Sequence, residues 1–293
     1  MTKANETTLR EYRFLGDAYF PKLYGTFVEA FSDYVFPFAL TEDQFRNHIE
    51  LNGVDLERSA ACLQNGDVVG FSLNGFGAWA GKRTAYDAGT GVIPRFRRQG
   101  ISNRMFDMML PVLEADGIEQ FLLEVVTTNE AALRLYEKLG FKPVRELALM
   151  QCDDPVPVSD AERNGIQLRS MDDPDWDVFL QFWEGEPSWQ NSCDAIDRSS
   201  DRKRILAAYI AGECVGYVIF SSTFGRIAQI AVSRDFSGHG VGRRLVREVQ
   251  DGIAPGYALQ VINADKTIAR VNDFFRELGF YERLAQYEMI KPM

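Results

Sequence analysis

The sequence predicts an α+β fold built from two similar domains, each with a mixed, mainly antiparallel sheet flanked by helices. Two observations lead to this prediction. The chain has 293 residues, which suits two domains of about 150 residues each, and its halves match when the sequence is shifted by about 140 residues. In each half, strands in hairpin order come first and a strand–helix–strand run follows, which indicates a mixed sheet.

The repeat is clearest around a glycine and a Leu-Gly-Phe triplet that occur in both halves. Gly100 precedes the triplet of Gly140 by nearly the same distance as Gly240 precedes that of Gly279. Before each triplet, apolar residues recur at i, i+3, i+4 and i+7, which predicts a helix with one buried face. These residues are Ala132, Leu135, Tyr136 and Leu139 in the first half, and Val271, Phe274, Phe275 and Leu278 in the second.

The first half contains sequence signals that assign its elements in order. Thr41 and Gln44 form a capping box at the start of the second helix, a turn at residues 65–67 joins two strands as a hairpin, and Pro111 is expected to kink the third helix. The predicted strands are Tyr12–Leu15, Ala60–Gln64, Val68–Asn74, Thr84–Ile93, Gln120–Val126 and Val144–Gln151. The predicted helices are Lys22–Phe31, Glu42–Leu51, Ser102–Ala115 and Asn129–Leu139.

The second half repeats this order with a shorter front. Its predicted strands are Ala207–Ala211, Cys214–Ser221, Gly225–Val232, Tyr257–Ile262 and Glu282–Ile290, and its predicted helices are Val241–Val249 and Ile268–Leu278. Between the halves, residues 153–165 contain two prolines, several acidic residues and little apolar content, which is typical of a linker. The predicted domains are therefore 1–152 and 166–293.

Composition and charge argue against several classes of protein. The formal net charge of −10 disfavours a nucleic-acid-binding face, which needs positive charge. Four cysteines without a C-x-x-C pair, together with two histidines, argue against a metal site. No apolar run approaches the roughly 20 residues that span a bilayer, and the polar N-terminus lacks a signal-peptide core. We therefore expect a cytoplasmic protein with no membrane partner.

Three arginines lie within five residues of a glycine at the predicted start of a helix, although the chain as a whole is acidic. Arg95, Arg97 and Arg98 precede Gly100, directly after the end of a strand. A helix N-terminus presents unpaired N–H groups and the positive end of the helix dipole, and a glycine lets that backbone approach a ligand closely. The segment therefore predicts a phosphate or pyrophosphate site. In the alternative interpretation, the arginines only solvate the helix start.

Two segments of the first half together resemble the GNAT superfamily of N-acetyltransferases. The first runs V-I-P at residues 92–94 and R-R-Q-G-I-S at residues 97–102, similar to the family's acyl-CoA-binding motif. Ser102 stands where the family prefers glycine or alanine. The second runs N-E-A-A-L-R-L-Y-E-K-L-G-F at residues 129–141 and is similar to the family's asparagine, tyrosine-bearing helix and L-G-F. The resemblance covers the first half fully and the second half more weakly.

This resemblance implies a fold in which two central strands splay apart to admit the pantetheine arm of acetyl-CoA, the implied cofactor. The strand near Val92 would bond the pantetheine, and the amides of residues 97–102 would hold the pyrophosphate. The candidate cofactor-binding residues are Val92, Arg97, Arg98, Gln99, Gly100, Ile101, Ser102 and Asn129. The resemblance also implies direct attack of an amine on the thioester in a ternary complex.

An acid and a base follow from the same resemblance. Tyr136 aligns with the family tyrosine beside the thioester sulfur and is the candidate general acid; in the alternative, it only packs in the helix stripe. Glu124, in the triplet L-E-V, is similar to the base of ribosomal-protein-alanine N-acetyltransferases; in the alternative, it lies on a solvated strand face. Those enzymes continue with arginine where this chain has Val126, so we expect a small-molecule amine as the acceptor.

The acceptor-binding lid of the family corresponds here to the aromatic loop F-S-D-Y-V-F-P-F, residues 31–38. Phe31, Asp33, Tyr34 and Phe36 are the candidate substrate-binding residues, because rings and one carboxylate suit an amine with an apolar body. In the alternative, the rings close the domain core. The identity of the acceptor and the oligomeric state are left open by the sequence.

The second half keeps the glycines of the phosphate motif and loses the proposed proton-transfer groups. Ser237 replaces the leading arginine or glutamine, Gln260 is aligned with Glu124, and Phe275 replaces Tyr136. His239 is a candidate stray base that more simply borders a phosphate or solvent. We therefore expect a degenerate C-terminal domain. Two alternatives are that the C-terminal domain is the catalytic one, or that the protein is an acyl-CoA-binding sensor without turnover.

Overall fold

A computed structural model describes residues 10–34, 40–156, 165–200, 203–223, 225–254 and 256–293 of the chain. Within these residues the chain forms twelve strands and eight helices. The strands are β1 (Arg10–Phe14), β2 (Ala60–Gln64), β3 (Asp67–Trp79), β4 (Lys82–Val92), β5 (Gln120–Val126), β6 (Lys142–Cys152), β7 (Gln167–Met171), β8 (Lys203–Ile210), β9 (Glu213–Ser221), β10 (Arg226–Val232), β11 (Leu259–Asp265) and β12 (Tyr281–Pro292). The helices are α1 (Phe20–Ala30), α2 (Glu42–Leu51), α3 (Ile101–Ala115), α4 (Glu130–Lys138), α5 (Trp176–Phe179), α6 (Cys193–Arg198), α7 (Val241–Gly252) and α8 (Ala269–Glu277).

The described residues divide into two compact units that do not follow chain order at every point. The first unit holds the residues up to Glu124, the segment Glu130–Lys142 and the last residues, Met289–Met293. The second unit holds Val125–Asn129 and the described part of Pro143–Glu288. The boundary predicted after residue 152 and this division therefore differ over residues 125–129, 143–152 and 289–293. The predicted linker is described only outside residues 157–164.

The sheet of the first unit runs in the order β1-β2-β3-β4-β5. Its pairs are antiparallel except β4 with β5, which is parallel. An aromatic cluster covers one part of this sheet, with the ring of Phe27 centred 4.8 Å from Phe45 and 5.6 Å from Phe71. Phe106 of α3 and Phe121 of β5 are likewise buried. Of the apolar stripe predicted for this half, Tyr136 is buried, and Ala132, Leu135 and Leu139 are half-buried.

In the second unit the strand order is β6-β11-β10-β9-β8-β7. Although β6 closes the first half of the sequence, it pairs antiparallel with β11, with partners running from Cys152 and Leu259 to Leu147 and Asp265. These backbone hydrogen bonds are the physical reason that residues 143–152 group with the second unit. Residues Met289–Met293 belong to the first unit, where Met293 N donates a hydrogen bond to Glu119 O over 3.0 Å.

The predicted fold class, α+β with mixed and mainly antiparallel sheets, is confirmed, and several element bounds agree with the prediction. The capping box at α2 forms, because Gln44 N donates to Thr41 Oγ1 and Thr41 N donates to Gln44 Oε1. Strand β3 continues beyond its predicted end at Asn74 to Trp79, because it pairs with β4 from Gly70 to Trp79. Strand β7 and the short helices α5 and α6 were not predicted from the sequence.

Among the described residues, no helix is both long enough and apolar enough to cross a membrane. The same residues contain no group of three or more histidine, cysteine and carboxylate side chains placed to hold a metal ion.

Candidate active site

The first unit contains a gap between its two parallel strands. Pairing of β4 with β5 runs from Thr84 with Gln120 to Asp87 with Leu123, although β4 itself continues to Val92. At the end of this pairing, β4 has an extra residue: Asp87 pairs with Asn74 and Gly89 with Leu73, so Ala88 forms a bulge. Among the described residues no further β4–β5 partners follow, and the strands part there as the resemblance implied.

Asp87 and Tyr136 meet at this point. The phenolic hydroxyl of Tyr136 donates a hydrogen bond to Asp87 Oδ2 over 3.1 Å. The same carboxylate accepts from Thr90 Oγ1 at 2.8 Å and, through Oδ1, from Gly89 N at 2.9 Å. Both side chains are buried, at 6% and 7% exposure. The structure thus places the predicted acid against a buried carboxylate.

Burial shifts the proton affinities of both groups. Desolvation raises the pKa of Asp87 to about 6, although its three hydrogen bonds work in the opposite direction. Desolvation, reinforced by the negative charge of Asp87, raises the pKa of Tyr136 well above its ordinary value of 10. At neutral pH Tyr136 is therefore a proton donor, and Asp87 is an acceptor whose pKa lies close to the working pH.

Glu124, the predicted base, lies directly after the last paired residue of β5. It accepts a hydrogen bond from the phenolic hydroxyl of Tyr86 and is half-buried. Tyr86 and Asp87 are consecutive in β4, so their side chains leave opposite faces of the strand. The predicted acid and base are therefore each held by a different residue of β4, at the place where its pairing with β5 ends.

The start of α3 forms the predicted anion cradle. Gly100 is the N-cap in the left-handed region, with φ 75°, and Arg98 has a positive φ of 60°. The first intrahelical bond runs from Arg104 N to Gly100 O, so the N–H groups of residues 101–103 are the ones a helix start leaves unpaired. Among the described residues, no atom lies within 4 Å of where a Cβ on Gly100 would stand. The cradle is open and fits a pyrophosphate.

Arg97 and Asp33, predicted separately for cofactor and substrate, bind each other. The two terminal nitrogens of the Arg97 guanidinium donate to the two Asp33 oxygens over 2.6 and 2.7 Å. Arg97 also donates to the carbonyls of Val92 and Ala30, at 3.0 and 2.8 Å. Hydrogen bonds from Arg97 lower the pKa of Asp33. The Arg97 side chain therefore ties α1 and the aromatic loop to the end of β4.

The remaining predicted residues lie around these groups. Gln99 accepts a hydrogen bond from Arg10 of β1, Ile101 is buried and Ser102 lies in the first turn of α3. Asn129 N donates to Val126 O just before α4. The rings of Phe31 and Tyr34 meet edge to face at 5.4 Å, and Phe31 also packs 4.8 Å from Phe27. Phe36 lies outside the described residues.

Asp87 is a candidate functional residue that no sequence motif marks. A signal was present, because Asp87 is the only charged residue in the predicted strand Thr84–Ile93. The residue next to Asp87 is also held in place. His48 Nε2 donates a hydrogen bond to the carbonyl of Ala88, the bulge residue, over 2.7 Å. The bulge beside Asp87 is thus tied to α2.

The second unit repeats this geometry with different side chains. Ala228 forms the matching bulge in β10, because Ile227 pairs with Phe220 and Gln229 with Ile219. Ile227 pairs with Val261 of β11, so Ile227 stands where the first unit has Asp87. The residue after Val261 is Ile262.

The strand pairing therefore corrects the sequence alignment: it shows which residue of the second half corresponds to Glu124. Ile262, and not Gln260, corresponds to Glu124, since each follows the last paired residue of its strand. The sequence comparison matched the triplet L-Q-V at residues 259–261 to L-E-V at residues 123–125, two residues out of the structural register. Phe275, buried at 1%, occupies the position of Tyr136 as predicted.

Two protein-family models match the chain. The acetyltransferase (GNAT) family matches residues 21–141, and the acetyltransferase (GNAT) domain matches residues 201–283. The chain belongs to the GNAT acetyltransferase family and carries two GNAT domains in tandem. The resemblance stated from its two motifs is confirmed.

Individual relatives match a short part of the chain. It is 36% identical over 56 residues to N-alpha-acetyltransferase 30 of Schizosaccharomyces pombe, which covers 19% of this chain and 37% of that protein. It is 40% identical over 50 residues to the [ribosomal protein bS18]-alanine N-acetyltransferase of Escherichia coli K12, covering 17% and 34%. The chain thus matches about a third of the length of these relatives.

Solved structures match the whole chain in fold. A tandem GNAT protein from the clavulanic acid biosynthesis pathway has a TM-score of 0.75 at 15% identity, covering 97% of this chain and 98% of that one. A GCN5-related N-acetyltransferase from Sphaerobacter thermophilus has a TM-score of 0.71 at 18% identity, covering 97% and 95%. At these identities the likeness shows the fold.

Proposed function

We propose that the first unit transfers an acetyl group from acetyl-CoA to a primary amine by direct attack while both substrates are bound. The observation that carries this proposal is the hydrogen bond from Tyr136 to Asp87 at the point where β4 and β5 part. A buried proton donor and a buried proton acceptor in contact are what transfer between an amine and a leaving thiolate requires.

Acetyl-CoA would supply the thioester, whose acyl carbon the amine attacks. The N–H groups at the start of α3 would hold the pyrophosphate, with Gly100 leaving the backbone open to it. Arg97 would act through its backbone, because its side chain is already bound to Asp33, Val92 and Ala30. The edge of β4 from Ala88 to Val92 that faces the gap would present N–H groups to the thioester carbonyl.

The protons that the reaction moves give each of three polar side chains, Glu124, Asp87 and Tyr136, a role. An ammonium must first lose one proton to become a nucleophile, and Glu124, at the edge of the gap, would accept it. As the new amide forms, the nitrogen loses a second proton, which Asp87 Oδ2 would accept. Tyr136 would give its phenolic proton to the leaving group and recover one from Asp87, its hydrogen-bond partner. Glu124 would release the first proton to solvent, and the second would pass from nitrogen to sulfur, which leaves Asp87 and Tyr136 in their starting protonation states.

The acceptor would bind beside the pair of rings Phe31 and Tyr34, which suit an amine with an apolar body. The Escherichia coli relative is an alanine N-acetyltransferase of ribosomal protein bS18, so a peptide with an N-terminal alanine is the natural competitor of a small amine. We favour the small amine, because Val126 replaces the arginine that follows L-E-V in enzymes of that kind.

The test is acceptor-dependent release of free thiol from acetyl-CoA. A panel of arylalkylamines, polyamines, amino acids, aminoglycosides and a peptide with N-terminal alanine covers the classes of primary amine. We expect at least one small amine to release thiol in proportion to acetylated product. No acceptor-dependent release across the panel, with folded protein, would contradict the proposal.

A further inference from the structure

The bulge of β4 contains a peptide bond that is hydrogen-bonded at both of its ends. This peptide joins Ala88 to Gly89. Its carbonyl oxygen accepts from His48 Nε2 over 2.7 Å, and its N–H donates to Asp87 Oδ1 over 2.9 Å. The carbonyl and the N–H of a trans peptide point in opposite directions, so the peptide lies between the imidazole of α2 and the carboxylate of β4. His48 and Asp87 are therefore joined through a backbone group.

The contacts of His48 define which ring nitrogen carries its proton. The Ala88 oxygen can only accept, so Nε2 carries a hydrogen. The side-chain nitrogen of Asn52 lies 2.8 Å from the carbonyl oxygen of His48 and 3.2 Å from His48 Nδ1. Because that carbonyl requires a donor, the Asn52 atom is the amide nitrogen, and Nδ1 is then the acceptor. Asn52 is fully buried, and it therefore selects a neutral imidazole with its proton on Nε2.

These groups continue into the candidate acid as one chain of hydrogen bonds. The carboxylate that accepts from Gly89 N through Oδ1 accepts from Tyr136 through Oδ2, over 3.1 Å. Hydrogen bonds in a chain polarise one another, so a donor at the Ala88 carbonyl makes the N–H of the same peptide a stronger donor to Asp87. Burial raises the pKa of Asp87 to about 6, and the hydrogen bonds from Thr90 and Gly89 work in the opposite direction. A weaker bond from Gly89 would therefore raise this pKa further.

We propose that His48 is a positioning residue for acetyl transfer, which acts through the Ala88–Gly89 peptide to orient the Asp87 carboxylate and to stabilise its negative charge. This role rests on the proposed function, because Asp87 is the proposed proton acceptor. In the second unit, the matching bulge has Ile227 at the position of Asp87, so that position offers no carboxylate to orient.

The test compares His48→Gln with His48→Met in the full chain. Both new side chains are unbranched, similar in size and favourable in a helix, but only glutamine has a nitrogen that can donate to the Ala88 carbonyl. Both lose the ring that packs against Phe27 and Phe45, so this loss is common to the pair. The titratable side chains around Asp87 are Tyr136 of α4, on which Tyr34 acts in turn, His48 of α2, acting through the peptide, and, on the opposite face of β4, Tyr86 with Glu124.

The first readout is the titration of Asp87, followed by carboxyl carbon-13 NMR without any substrate. Asp87→Asn assigns the signal. We expect the midpoint in His48→Met to lie about 0.5 pH above that in His48→Gln, because a weakened hydrogen bond shifts an ionisation by a fraction of a pH unit. Equal midpoints in the two variants would overturn the proposal.

The second readout is the acidic limb of kcat/KM, which should move in the same direction. At pH 6 a shift of about 0.5 pH lowers the ionised fraction of Asp87, and hence kcat/KM, about twofold in His48→Met relative to His48→Gln. A shifted NMR midpoint with an unmoved acidic limb would overturn the role in transfer. A shifted midpoint in protein that releases no thiol with any acceptor would instead confirm the action of His48 on Asp87 and contradict the proposed function.

The tautomer of His48 can be measured in the wild type, independently of how the variants fold. Nitrogen-15 NMR should show the proton of His48 on Nε2 and none on Nδ1, with the signals assigned by their loss in His48→Gln. A proton on Nδ1 alone would overturn the proposal, because Nε2 could then not donate to the Ala88 carbonyl.

Discussion

Tyr136 of α4 donates a hydrogen bond to Asp87 of β4 over 3.1 Å, and both side chains are buried at the end of the β4–β5 pairing. The two residues are 49 positions apart in sequence. Their contact links the tyrosine that the motif predicts to a carboxylate that no motif marked. The proposed proton path from amine to leaving group runs through this bond, and the first two predictions test its two ends.

Tyr136→Phe removes one hydroxyl and keeps nearly all the apolar volume of the helix stripe. If that hydroxyl protonates the leaving group, kcat should fall by roughly 10²–10⁴-fold, the usual worth of general acid catalysis. The KM for acetyl-CoA should change little, because the anion cradle at α3 is untouched. Steady-state kinetics measure both values, and a melting curve checks folding. A variant with full kcat would rule out the acid assignment.

Asp87→Asn keeps the size of the side chain and removes its charge. Because the pKa of Asp87 is about 6, kcat/KM of the wild type should fall as the pH drops below about 6 and the carboxylate is protonated. The variant should be slower by roughly 10²-fold and lack this titration. The pH profile of kcat/KM measures it, and an unchanged acidic limb in the variant would assign that limb to another group.

The same residue makes a prediction about stability. The folded-state pKa of Asp87 lies above the unfolded value of 3.8, so the folded protein binds the proton more tightly. Its contribution to the unfolding free energy is fully present below pH about 4 and is lost as the pH rises through about 6, by on the order of 3 kcal/mol. Urea unfolding at pH 4 and 7 should therefore show a smaller pH difference in Asp87→Asn than in the wild type. An identical difference in both proteins would contradict the raised pKa.

Glu124→Gln tests the second carboxylate. The amide still offers an oxygen to the Tyr86 hydroxyl, so the local hydrogen bond can persist, but it cannot take a proton from an ammonium. We expect kcat/KM for the amine to fall by about 10²-fold at neutral pH and to recover partly at high pH, where the amine is already neutral. If Glu124 only faces solvent, the variant will keep full activity at every pH.

Arg97→Gln tests whether the Arg97 side chain contributes to binding of the amine or to binding of acetyl-CoA. Its guanidinium binds Asp33 with both terminal nitrogens, so its loss should release the aromatic loop and raise the KM for the amine. The Kd for acetyl-CoA should change much less, because the backbone amides remain. Asp33→Asn should produce the same change, and the double variant should be no worse than either single one. A large loss of acetyl-CoA binding in Arg97→Gln alone would show that the Arg97 side chain binds the cofactor.

The sequence predicted those parts of the site that lie close together in the chain. Gly100, the start of α3 and the Tyr136 helix follow from local spacing, and the capping box of α2 follows from Thr41 and Gln44 alone. The partners of these groups lie far away in sequence: Arg97 and Asp33 are 64 positions apart. Asp87 is the only charged residue of its predicted strand, but the sequence does not show that its carboxylate is buried and contacts Tyr136, 49 positions away.

Long-range pairing also limited the prediction of the fold. Every strand except β7 was predicted from its own apolar pattern. The partner of β6, however, is set by backbone hydrogen bonds to β11, more than a hundred residues on. The triplet Leu259–Val261 resembles the L-E-V of the first half, and matching the two misplaced the base position by two residues, with Gln260 in place of Ile262. The register of neighbouring strands was needed to correct it.

Matched charge insertions in the two glycine-capped helix starts test whether transfer occurs in the first unit. Gly100 and Gly240 both have left-handed backbones, with φ 75° and 81°, so Gly100→Glu and Gly240→Glu carry similar strain of about 1–2 kcal/mol. Gly100→Ala has that strain without the charge and is the control. Melting curves confirm that each variant is folded.

The measurement is acceptor-dependent thiol release from acetyl-CoA by these variants. We expect Gly100→Glu to abolish it, because a carboxylate would occupy the cradle that holds the pyrophosphate, and Gly100→Ala to retain most of it. Gly240→Glu should leave it largely intact. Full turnover in folded Gly100→Glu, together with loss of turnover in folded Gly240→Glu, would contradict the account and place catalysis in the second unit.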